Sequence, residues 1–170
     1  MRFSILLVFL VLLTFACKKQ AAVISTPWDY HHDTLSATID GAKFNPKTVS
    51  AGYWGYNGLT PTPYVTVIAI DENGRHLTLQ MNEYDGTKTS FNFNVNQNAG
   101  FGTFCLKDCD NWNYKDSTHN SVSGAINIDS YEKTTIETWE IITGTFQFEV
   151  DDSTGKFSIR DGYFSLMVEK

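Results

Sequence analysis

No stretch of this chain holds an apolar period of 3.6 for the ~10 residues that a typical helix occupies, which sets the helical fold classes aside. Other absences narrow the chemistry. No Lys or Arg cluster interrupts a net charge of −6, so a nucleic-acid partner, whose phosphates reward basic clusters, is excluded. No nucleophile elbow accompanies the many serines, and Gly100-Phe101-Gly102 is too little to cradle a phosphate. Nearly all Asp and Glu fall in expected turns such as Asp71-Glu72 and Asp151-Asp152, leaving no carboxylate pair opposed across a cleft. His31 and His32 precede the first strand, His76 is expected on the wet face of a strand and His119 in a polar loop. All four read as surface residues. Cysteine is scarce, with three in all, and Cys105 and Cys109 alone make a poor zinc site.

What is present starts at the N-terminus. Arg2, an apolar run from Phe3 to Leu13 and then Thr14-Phe15-Ala16-Cys17 give a basic region, a short hydrophobic region and a small residue before a cysteine. The run falls short of the ~20 residues that span a bilayer. It resembles bacterial lipoprotein signal peptides, with Thr14 where the usual leucine stands, and the resemblance implies cleavage after Ala16 and acylation of Cys17. Residues 1–16 are then the signal peptide, 17–35 a lipid-anchored tether without a repeating apolar face, and 36–170 one domain. Without Arg2 the 13 basic residues fall to 12 against 19 acidic, about −7, which gives no help at an anionic membrane surface. Attachment rests on the lipid, at ~0.8 kcal/mol per buried CH₂.

Within the domain, alternation of period two dominates. Ser36 to Gly41 is a short strand meeting a turn, Phe44 is a core candidate, and Thr48 to Tyr53 reads as a second strand. Tyr64 to Ile70 is strongly apolar and ends in Asp71-Glu72-Asn73-Gly74, a hairpin signal; the return strand points Leu77, Leu79 and Met81 to one side. Phe91, Phe93 and Val95 alternate with asparagines, and Gly100 to Leu106 holds a further strand. Val122 to Asp129 sends Ile126 and Ile128 inward, with a turn expected around Ser130 to Lys133. Thr134 to Ile142 is β-rich, but Ile136 and Trp139 fall on opposite faces, which a bulge would resolve. At the C-terminus Phe146, Phe148 and Val150, then Phe157 and Ile159, then Phe164, Leu166 and Val168 form the clearest pattern, with Asp161-Gly162 as a turn or bulge.

The sum is an all-β domain of about eight to ten antiparallel strands. Closing them around one core requires a two-sheet β-sandwich, the preferred reading, or its alternative, a small closed β-barrel. Export to an oxidising compartment permits a Cys105–Cys109 disulfide, a local clamp across a small loop.

Two residue groups invite ligands. Tyr53, Trp54 and Tyr56 beside glycines, with Trp112 and Tyr114 in the irregular 107–120 segment, would stack on sugar rings, anchor a protein partner, or plug the ends of the fold. Asp108, Asp110, Asn111, Asn113 and Asp116 supply hard oxygens for a weak calcium site or a solvated loop, without the glycine and final glutamate of the helical calcium loop. No other cofactor is implied.

Ser36 to Gly41 followed by Phe44, the Val65–Gly74 to Leu77–Leu79 hairpin, Ile142 to Phe148, and Gly155 to Ile159 with Asp161 to Phe164 together resemble a family of small, uncharacterised all-β lipoproteins of Bacteroidetes-type bacteria. The resemblance implies a Gram-negative envelope lipoprotein and carries over no catalytic residues. The expected function is therefore a lipid-anchored, non-enzymatic binding or accessory module in the outer membrane, facing periplasm or cell surface, with a glycan or an envelope protein as partner. The alternative is a calcium-dependent glycan-binding protein or a glycan hydrolase.

Overall fold

A computed structural model describes residues 33–54, 63–93, 99–106, 118–134, 136–152 and 155–169. They form ten strands: β1 (Thr34–Ile39), β2 (Ala42–Phe44), β3 (Pro46–Trp54), β4 (Tyr64–Asp71), β5 (His76–Asn82), β6 (Ser90–Phe93), β7 (Gly100–Cys105), β8 (Thr118–Lys133), β9 (Trp139–Asp152) and β10 (Gly155–Glu169). The first strand begins at Thr34, before the expected domain start at Ser36, and buries Leu35 in the core. The lipidation candidate Cys17 lies outside the described residues.

Every pairing is antiparallel, and the strands follow the order β2-β1-β10-β9-β8-β7-β5-β4-β3, with β6 also on β8. The sixteen-residue β8 joins the two halves. One of its edges pairs with β9 along most of its length. Along the other, Asn120 faces Thr103 of β7 and, further on, Gly124 to Asn127 face β6. The all-β, antiparallel expectation holds, but its division into two sheets does not appear as a break in pairing. The sheet is one, and it curls until β3 approaches β10 and β1, giving a nearly closed barrel shape.

The concave side is filled by aromatic and branched aliphatic side chains in alternating positions, each contributing ~1.5–3 kcal/mol by leaving water. Phe146 lies near Phe148 and Phe164, Phe148 meets the edge of Phe93, and Phe104 meets Phe157. Glycines make room for these rings. A Cβ on Gly102 would stand 2.7 Å from the Phe148 ring, and one on Gly144 would stand 2.6 Å from Phe164 and 2.3 Å from the carbonyl oxygen of Asn127.

In β10 the run of inward residues changes parity. Ile159 faces Phe148 and Gly162 faces Phe146, so Arg160 and Asp161 together oppose Gln147. This is a two-against-one bulge, and Asp161 takes φ 50° within it. Ile159 points inward before it; Gly162, Phe164, Leu166 and Val168 point inward after it. The Asp161-Gly162 signal is thus a bulge.

Two expectations are corrected. Residues Ser130 to Lys133 are not a turn: β8 runs through them, and its register shift falls between Ile128 and Ser130. The reversal lies one step later, where the Trp139 N–H donates to the Ile136 carbonyl and the Thr134 hydroxyl accepts from the Ile136 N–H, so Ile136 and Trp139 belong to a hairpin turn and its exit. His76 is buried rather than wet, because it pairs with Ile70 on one side and Cys105 on the other. The expected disulfide is met at its Cys105 end, where the sulfur is disulfide-bonded. Cys105 is buried at the end of β7, held in register opposite His76 and Thr118 as part of the sheet, and Cys109 lies outside the described residues.

Candidate functional site

One end of the barrel is closed by a tyrosine cluster around a buried carboxylate. Glu140 occupies an inward position of β9, in phase with Ile142 and Phe146, and is buried. The turn after β5 inserts Tyr84 fully into the interior, its N–H donating to the Pro63 carbonyl and its hydroxyl donating to Glu140 Oε1. Tyr53 lies edge-on to Tyr84 and Tyr131 is tilted against it, both with ring centroids 6.2 Å away. The Tyr131 hydroxyl donates to the Lys88 carbonyl. Burial, then the hydrogen bond and charge of Glu140, push the Tyr84 phenol far above its usual range. Burial, then the carboxylates of Glu140 and Asp85, push Tyr131 up to about 12. This closed assembly is a plug that fixes the ends of β3, β5, β8 and β9.

At the opposite end Asp71 organises the β4–β5 hairpin. Its Oδ1 accepts from the N–H groups of Asn73 and Arg75, both at 2.9 Å, and its Oδ2 accepts from Arg75 Nε at 2.6 Å. Burial opposes the charge on Asp71, but the Arg75 N–H, its guanidinium and then the Asn73 N–H outweigh it and hold the carboxyl below its usual range. Arg75 also lies over the Phe44 ring, 5.6 Å from the centroid. Both arrangements are internal supports.

The convex face holds a different kind of feature. A groove of about 410 Å³ opens over the β10 bulge, walled by Asn127, Thr145, Gln147, Asp161 and Tyr163, with the backbone of Phe146 and Gly162 in its floor. Register explains the convergence. Asn127 lies opposite Thr145, and Thr145 opposite Tyr163, so three outward side chains form one row across β8, β9 and β10. Ser90 continues the row beyond Asn127, donating to its Oδ1 at 3.2 Å, and Ser36 continues it beyond Tyr163. Gln147 stands in the next row beside the small Ala125 and faces the bulge, where the extra residue turns Asp161 outward. Tyr163 is 45% exposed, an uncommon position for so large a ring. The neighbouring cation, Arg160, is bound to Glu149 and the Ser158 hydroxyl.

None of these five wall residues is a site candidate from sequence, where Thr145 and Gln147 are only the polar positions alternating with Phe146 and Phe148. The bulge signal at Asp161-Gly162 is the one clue that a side chain is re-aimed there. Of the expected ligand aromatics, Tyr53 packs against the core and Tyr84, and Trp54 is the last residue of β3. Tyr56, Trp112 and Tyr114 lie outside the described residues, as do all five calcium candidates, Asp108, Asp110, Asn111, Asn113 and Asp116. Among the described residues no group of three His, Cys, Asp or Glu side chains could hold a metal ion. No helix among them is long and apolar enough to cross a membrane. No family model, curated protein or solved structure matches the chain.

Proposed function

We propose that this chain is a lipid-anchored binding module of the outer membrane, held through acylated Cys17 and presenting the convex groove to the periplasm or the cell surface. The carrying observation is the groove itself: five outward side chains converge over the hydrogen-bonded strands β8, β9 and β10. Rigid elements hold ligand-contacting groups more closely than loops do. The described groove lining offers one carboxylate, Asp161, whereas glycan hydrolysis by a carboxylate pair needs two, so these residues serve binding better than turnover. The described strands carry apolar side chains inside and polar ones outside, which suits a water-surrounded barrel on a tether and is the inverse of a membrane-spanning one. The Bacteroidetes-type lipoprotein resemblance and the signal-like N-terminus support the address.

The test has two arms. Labelled palmitate should enter the full chain expressed in a Gram-negative host and should be lost with Cys17→Ser; labelling that survives the substitution refutes the anchor. A column of immobilised outer-membrane fraction should retain the wild type more strongly than Thr145→Trp, which fills the groove; equal retention refutes the groove as the binding site.

A further inference from the structure

Resting on that reading of the groove, we infer that its ligand is an uncharged, polyhydroxylated chain, a neutral oligosaccharide laid across the strands with one sugar ring against Tyr163. The row Ser90, Asn127, Thr145, Tyr163 and Ser36 crosses β6, β8, β9, β10 and β1. At the usual ~4.8 Å between strands it spans about 19 Å, which suits an elongated ligand. Its members are hydroxyls and an amide, and Gln147 adds a second amide beside them; such groups both donate and accept, as sugar hydroxyls require. Tyr163 provides an exposed aromatic face against which the apolar side of a sugar ring packs.

Charge points the same way. The groove's charged wall residue is Asp161, and the cation beside it, Arg160, is engaged by Glu149. A sulfate, phosphate or sugar carboxylate would meet an anion with no free guanidinium to answer it. A peptide strand fits poorly too. The groove lies in mid-sheet, where the β8, β9 and β10 backbones are paired with one another, so an extended peptide has no open edge to join.

The test is calorimetric titration of the full chain carrying Cys17→Ser with cellohexaose, xylohexaose, mannohexaose and maltohexaose, alongside a heparin-derived hexasaccharide and a Gly-Ser octapeptide. At least one neutral hexasaccharide should bind more tightly than the anionic sugar and the peptide. Tyr163→Ala should weaken it about tenfold, at the upper end for one aromatic contact, while Tyr163→Phe should stay within about twofold because the ring is kept. Melting curves of both variants, unchanged for a side chain this exposed, separate lost binding from lost folding. Preference for the heparin fragment or the peptide, abolished by Thr145→Trp, overturns the neutral-glycan inference and leaves the groove reading standing. Binding of a neutral sugar that is indifferent to Tyr163→Ala, or no binding by any of the four, also overturns the inference; the envelope column then decides the groove reading separately.

Discussion

Replacing Tyr84 by Phe should give a stability loss whose size depends on pH in a way that few other substitutions would imitate. The ring stays, so no cavity opens; what disappears is one donor to the buried Glu140 carboxylate. A hydrogen bond to a charged group contributes ~1.5–3 kcal/mol, so Tyr84→Phe should cost about 2 kcal/mol at pH 7, or ~6–8 °C in Tm for a domain of this size. Above pH 10 the difference should shrink. The folded-state pKa of Tyr84 is raised above its unfolded value, so its stabilising effect is complete below pH ~10 and is lost as pH rises, because the unfolded tyrosine releases a proton that the buried one keeps. For a single proton held in the native state and released near pH 10 in the unfolded one, linkage removes ~1.4 kcal/mol between neutral pH and pH 11. The wild-type and variant curves should therefore draw to within about 0.6 kcal/mol at pH 11 and cross shortly above it. Tyr131, whose pKa is pushed up to about 12, acts in the same direction in both proteins and cancels in the comparison. Urea denaturation followed by fluorescence from pH 7 to pH 11 measures the gap. A gap that is absent at pH 7, or that stays constant across the range, would refute the burial of Tyr84 on Glu140.

Two further substitutions probe the rest of the scaffold. Gly144→Ala should cost ~1–3 kcal/mol, since its Cβ would fall 2.3 Å from the Asn127 carbonyl oxygen, backbone that cannot rotate aside; an unchanged urea midpoint would contradict the close approach of β8 and β9 there. Asp71→Asn should cost about 2 kcal/mol at pH 7. The lowered folded-state pKa of Asp71 means that its contribution is present above pH ~3.9 and lost as pH falls through the folded value. The wild type should thus approach the variant in acid, and parallel stability curves between pH 7 and pH 2 would exclude the assigned role.

Local features of the fold were legible where period two and turn chemistry agree. The Asp71 to Gly74 hairpin was readable because Asn73 and Gly74 suit the turn, and the structure gives Gly74 φ 73°. Phe146, Phe148 and Val150, and the parity change at Asp161, were readable for the same reason. The Ser130 to Lys133 error came from a polar run that looks like a turn but alternates along a long hairpin, with Ser130 outward against Thr143 at 2.7 Å and Tyr131 packed on the core. The burial of His76 depends on which strands flank it, a tertiary fact without local signature. The groove was illegible for a related reason: Asn127, Thr145 and Tyr163 are unremarkable alone and meet through the registers of two strand pairs.

The pairing of β1 with β10 also bears on biosynthesis. The first described strand finds its long-range partner in the last, as Thr34 faces Ser165 and Ile39 faces Ile159. During synthesis β10 emerges after both of its partners, so β1 and one edge of β9 must wait uncovered until it appears. Such late, non-local closure slows folding. On the proposed route of export the delay would be protective: the strand that locks the barrel would cross the membrane after the strands it joins.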